Sequence, residues 1–223
     1  MIEDPFTEEN VNAMLVRLRN ENLEYARNAA QEKDEWMVKK AQNWLTRWGN
    51  HITTGELLDK IIADDDLARM FAKDPQKQSF HENLGLRSMQ DFGLEVRGEP
   101  KSGTNAIYIH NGRVKTGLQK KPEARIKSVD CTCLREGWKD HILQKWIAES
   151  GGAQDNQYSD IQGFVEQGYQ YAVRVKDNVR IIALVDGPYF TDDKINELRA
   201  TIPVGYSDRV MVMSTFEYMC MDG

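Results

Sequence analysis

Asp130 and Lys145 are the residues of this chain whose types and spacing point most directly to chemistry. Both fall in segments that read as β-strands, Ser128–Leu134 (SVDCTCL) and His141–Ala148 (HILQKWIA), separated by a short polar turn. If those strands pair, an acid and a lysine side by side can hold a metal ion next to an activated water. Metal-assisted hydrolysis of a phosphodiester asks for such a set. It needs carboxylates for a hard cation such as Mg2+. It also needs a group that polarises the attacking water and positive charge where the transition state gathers negative charge. A lysine in that position is partly desolvated, which makes its charge state tunable.

These two residues must be positioned by the elements around them. The first third of the chain reads as helical. Thr7 is the expected N-cap, with Glu8 and Glu9 in the first turn and Val11, Met14, Leu15 and Leu18 on one face. A second stripe, Met37, Ala41, Trp44, Leu45 and Trp48, has the same period and stops at Gly49. A third segment, Gly55 to Lys73, carries Leu57, Leu58, Ile61, Ile62, Met70 and Phe71 before Asp74-Pro75 ends it. At helical spacing Trp36, Trp44 and Trp48 are expected in the core rather than stacked on bases. A fourth helix starts at Gln76 (QKQSFHENLGLRSM). Strands follow at Thr104–His110, Ser128–Leu134 and His141–Ala148, then a helix near Asp155–Glu166. An apolar strand Val179–Val185, a short helix (DDKINELRA) and a last strand Arg209–Ser214 complete the chain. The order α-β-β-β-α-β-α-β describes an α/β mixed sheet flanked by helices, with residues 1–75 as a helical extension and 76–223 as the core.

Within that order the residues resemble the PD-(D/E)XK nuclease superfamily, and within it type II restriction endonucleases. The resemblance covers about residues 76–215. Val129-Asp130 stands where the family's first acid opens the second core strand, and Gln144-Lys145 where its lysine lies in the third. A glycine-containing turn and a polar helix start follow at 149–158 (ESGGAQDNQY). His81-Glu82 fills the place of an acid on the preceding helix. Two residues depart from the pattern: Val129 replaces the proline, and Leu143 stands where a second acid belongs. The resemblance implies a restriction-endonuclease-like core, Asp130, Lys145, Glu82 and Gln144 as the catalytic set, and Asp130 with Glu82 as ligands of Mg2+. Glu82, Gln144 or Glu149 would supply the oxygen that Leu143 cannot. It further implies double-stranded DNA as substrate, cleavage leaving 5′-phosphates, a homodimer, and a cognate DNA methyltransferase as genetic partner. The N-terminal helices would serve dimerisation or clamping of DNA.

Charge and composition bound this reading. The net charge of −6 is unevenly spread: residues 113–145 hold nine Lys and Arg against four Asp and Glu, a local +5. A positive face on an acidic chain is compatible with phosphate contacts, which act within a Debye length of about 10 Å. Lys120, Lys121 and Arg125 form the expected phosphate-contacting loop. The amides of Gln154, Asn156 and Gln157 suit base edges, or equally a helix start. Cys131 and Cys133 point to one face of a strand and read as buried apolar residues rather than half of a zinc site. Three cysteines, no apolar run of about 18 residues and an acidic N-terminus fit a cytoplasmic chain with no membrane span and no signal peptide. Two other functions remain open on the sequence. Leu143 favours a nuclease-fold DNA-binding protein that does not cut. The acidic N-terminal helices favour an interaction protein that assembles through them.

Overall fold

The computed structural model describes residues 4–48, 51–74, 79–117, 126–147 and 152–221, and the side chains of the last segment from 155 onward. The chain divides into two compact units, Thr7–Phe80 and a second made of Met1–Phe6 with His81–Gly223.

The first unit is helical: α1 (Glu8–Gln31), α2 (Glu35–Trp48), α3 (Thr54–Ala63) and α4 (Asp65–Phe71). Thr7 caps α1, its hydroxyl accepting from the Asn10 N–H at 3.3 Å. Thr53 and Glu56 form a capping box that starts α3. The expected single helix from Gly55 to Lys73 is two. The Asp64 carboxylate accepts from the Leu67 N–H at 3.0 Å and so caps a new helix, which breaks the old one. The core contains Leu23, Ala26, Met37, Ala41, Leu57, Ile61 and Phe71, with Trp36 and Trp44 packed against it. Trp48 and Met70 correct the sequence expectation: each is 64% exposed, because the helix ends that carry them turn those positions outward.

The second unit is α/β, a mixed five-strand sheet flanked by helices. Its elements in chain order are α5 (Phe80–Asp91), β1 (Glu95–Gly98), β2 (Ile107–His110), β3 (Arg113–Thr116), β4 (Cys131–Arg135), β5 (Trp138–Trp146), α6 (Gly152–Arg174), β6 (Val179–Asp186), α7 (Asp192–Ala200), β7 (Val210–Met213) and α8 (Thr215–Cys220). The sheet order is β1-β4-β5-β6-β7. The first three strands form an antiparallel meander, and β5, β6 and β7 run parallel. The expected first sheet strand, Thr104–His110, is corrected. Only Ile107–His110 is extended, and it pairs with β3 in a separate two-stranded sheet. Asn111 and Gly112, both at positive φ, make the tight turn between them. The true first strand, β1, buries only Val96 and so lacks an alternation that sequence reading can detect. Glu136 and Gly137, likewise at positive φ, join β4 to β5.

Alternation along the central strands separates two cores. Leu143 of β5, Ile147 just after it, and Ile181, Ala183 and Val185 of β6 pack with Ile161, Phe164 and Val165 of α6. Ile142, Ile182 and Leu184 face the other way, with Cys131, Cys133, Met89 of α5 and Tyr218 of α8. Covered on both faces, β6 carries a continuous apolar run from Ile181 to Val185. The helix expected near Asp155–Glu166 continues to Arg174. Gly168 lies within it where a side chain would meet Ile181. Among the described residues no helix is long and apolar enough to cross a membrane.

Candidate active site

The residues that could do chemistry gather where β4 begins beside the C-terminal end of β5. Asp130 is the last residue before β4. The antiparallel register sets Cys131 opposite Ile142, and the Asp130 N–H donates to the Ile142 carbonyl at 2.8 Å. Its carboxylate therefore meets the next peptide of β5, accepting from the Gln144 N–H at 2.8 Å. Lys145 follows on the same strand, largely buried, with Nζ 3.9 Å from Oε1 of Glu82. Glu82 sits in the first turn of α5 and forms a second ion pair, through Oε2, with Lys101. Three elements distant in sequence thus bring Asp130, Lys145 and Glu82 into one electrostatic cluster.

The charges in this cluster act on one another. Burial pushes the Asp130 carboxyl above its ordinary pKa, and the Glu82 charge pushes the same way. Lys145, the Gln144 N–H and Lys101 oppose that shift.

Gln144 enters through its backbone. Its side chain turns to the α5 side of the sheet, buried, with Oε1 3.9 Å from the Cys131 thiol. Its Nε2 lies against Gly85 of α5, where any side chain would collide, and has no hydrogen-bond partner among the described residues. Leu143 is buried in the α6-side core, so the position two residues before Lys145 is occupied by packing. Cys131 and Cys133 are both buried in the opposite core, where burial raises both thiol pKa values.

Two residues join the cluster that the sequence reading did not single out. Lys101 lies in the irregular segment after β1, and nothing in its local sequence signals the pairing with Glu82. Asp186 ends β6, opposite Trp146, and lines a small cavity together with Glu82, Gln144 and Lys145. Both Asp186 oxygens accept from Thr215, from its N–H at 2.9 Å and its hydroxyl at 2.7 Å. Burial nevertheless lifts its pKa to about 6. An aspartate closing an otherwise apolar strand, just before Gly187, was the signal available. The imidazole of His81 stacks on the Trp146 indole with centroids 3.6 Å apart, forming the apolar wall of the cavity. Burial lowers the His81 pKa to about 4.

Among the described residues no three His, Cys, Asp or Glu side chains converge as a metal cage. Two carboxylates still suit Mg2+, which is commonly held by one or two of them and keeps several waters. The all-oxygen donors of Asp130 and Glu82, mutually destabilising and close to Lys145, fit that ion. Of the expected DNA-contacting residues, Asn156 is exposed and Gln157 half-buried in the first turns of α6. Lys120, Lys121, Arg125 and Glu149 lie outside the described residues, as does the side chain of Gln154. Compared with known proteins, the chain matches no family model, no curated protein and no solved structure.

Proposed function

We propose that this chain is a Mg2+-dependent type II restriction endonuclease with a PD-(D/E)XK-like core, cutting double-stranded DNA at a defined sequence as a homodimer. The observation that carries the reading is the meeting of Asp130, Glu82 and Lys145 at the point where β4 leaves β5. The sheet around them supports it. An antiparallel three-strand meander leads through a helix to parallel strands, which is the element order the resemblance implies.

In this mechanism Asp130 and Glu82 would hold Mg2+, which when bound draws charge from the scissile phosphate and acidifies a water. The Lys145 ammonium would orient the attacking water and offset negative charge as it develops on the phosphate oxygens. Asp130 works as an anion, and the Gln144 N–H and Lys145 both favour its ionised form against burial. Attack of water on phosphorus with loss of the 3′ oxygen leaves a 5′-phosphate. Two-fold symmetry of a homodimer would match a palindromic site.

One observation favours a second reading, sequence-selective DNA binding without cleavage: Leu143 is core, not a ligand. Digestion of unmethylated phage DNA separates the two. The nuclease yields discrete fragments in Mg2+ and none in EDTA. A binder yields intact DNA in both, together with salt-sensitive retardation in a gel.

A further inference from the structure

The helical unit carries a pocket of its own, of about 760 Å3, walled by α1, α2 and the end of α4. Arg19 reaches it from α1, Lys40 from α2, Arg69 from α4 and Lys73 from the segment just beyond, with Asp74 the single carboxylate in the lining. Residues Thr7–Phe80 contain 13 Asp and Glu against 11 Lys and Arg. A wall drawn evenly from that composition would carry as many acids as bases, so four cations facing one acid is a concentration of charge.

Among the described residues these cations are also free of ion pairs. Elsewhere in this unit Arg17 pairs with Glu21 and Arg27 with Glu24 and Asp65, while Arg47 lies over the Trp48 ring. Among the described residues no carboxylate makes an ion pair with Arg19, Lys40, Arg69 or Lys73. Lys40 is anchored over the Phe71 ring and donates to the Phe71 carbonyl at 2.6 Å. That uses one of its three donors. Burial and the charge of Lys73 lower its pKa, as expected of a half-buried cation near a second cation. Val16 and Met70, 55% and 64% exposed, line the same pocket. Cations beside an exposed apolar surface match a ligand that joins a phosphate to a sugar or base.

We propose that this pocket binds the phosphate of a nucleotide, with the cations on the phosphate oxygens and Val16 and Met70 against the nucleoside. A nucleotide within DNA and a free nucleotide share that chemistry. The inference does not rest on the nuclease reading, since it concerns binding in the other unit of the chain.

Fluorescence anisotropy on the full chain in EDTA, with a labelled short DNA duplex and with labelled dATP, tests it. The variant Arg19→Glu/Arg69→Glu changes two exposed side chains, and Lys40→Met removes the anchored charge without reversing it. The proposal expects at least one ligand to bind about tenfold more weakly to the double variant, with an unchanged melting temperature. Lys40→Met should weaken the same ligand. If that ligand is the duplex, the salt slope of binding falls by about one for each phosphate no longer neutralised, which assigns the pocket to nucleic acid. If only dATP binding falls, the ligand is a free nucleotide. Equal binding of both ligands by wild type and variants overturns the proposal, as does a wild type that binds neither. Weaker binding by the variants of a chain that never cuts DNA would remove the nuclease reading and keep the pocket. Intact binding by variants of a chain that cuts would do the reverse.

Discussion

The two ends of β5 hold acids in opposite circumstances. Near its N-terminal end Asp140 is fully buried, with Arg180 donating to both carboxylate oxygens at 2.6 and 2.9 Å and the Tyr218 hydroxyl donating at 2.6 Å. Trp138 covers the Arg180 guanidinium. Both carboxylate oxygens there have their donors. Toward the other end Asp130 accepts one backbone N–H, faces a second acid in Glu82, and draws on lysines that Glu82 also uses. The first arrangement is complete without a ligand and locks β5, β6 and α8 together. In the second, two acids share two lysines, and Glu82 and Lys145 line a small cavity. The two acids are thus told apart by how completely their carboxylate oxygens are satisfied.

Breaking the closed end has the largest expected effect on stability. Asp140→Ala leaves Arg180 buried without its counter-ion, and unfolding in urea should report a loss of about 3–5 kcal/mol. A loss below about 1 kcal/mol would mean that the pair is solvated and the contrast drawn here is wrong.

A second effect separates His141 from Asp186 by sign. His141, buried beside Asp140 on β5, has its pKa lowered to about 4, chiefly by burial. Its neutral form is favoured by the fold, so its contribution is complete above about pH 6.5 and is lost as pH falls toward 4. By linkage the change is about 3 kcal/mol. Asp186, at the site end, has its pKa raised to about 6. The fold holds its proton more tightly than the unfolded chain does, so stability declines as pH rises from about 4 to about 6, again by about 3 kcal/mol. Denaturant melts across pH 4–6.5 should therefore show His141→Leu flattening the rise with pH and Asp186→Asn steepening it. Changes in the same direction would remove the distinction.

The smallest expected change in stability is at Asp130. Because burial disfavours its charge, Asp130→Asn should leave the folding free energy unchanged or slightly higher in the same urea series, while abolishing any Mg2+-dependent cutting. A marked destabilisation would place Asp130 with Asp140 among the structural acids.

Much of the sheet unit could be read from its residues. Alternation and apolar runs marked β4, β5 and β6, and a polar turn between β4 and β5 was enough to put Asp130 and Lys145 on adjacent strands. What escaped did so for identifiable reasons. β1 has four residues with one buried side chain, too short for periodicity. β3 is half-exposed throughout, yet Asn111-Gly112 was the turn signal that would have paired it with β2. The split between α3 and α4 was written in Asp64, whose carboxylate caps a helix inside a continuous apolar stripe. In the site, Glu82 was legible by its place on the helix before the sheet. Lys101 was not, because an ion pair between a loop and a helix depends on tertiary approach alone. Nor could sequence tell that Gln144 takes part through its N–H while its amide packs on Gly85.

The most direct test of the central claim is DNA cleavage by Lys145→Ala beside the wild type, in Mg2+, with melting temperatures measured on the same samples. Removing the ammonium from a hydrolytic site should slow cutting by about 10²–10⁴-fold. The melting temperature should hold, since the 3.9 Å pair with Glu82 is partly solvated and Lys101 remains to neutralise that acid. Cleavage by the variant at the wild-type rate, or a wild type that leaves DNA intact, would contradict the account.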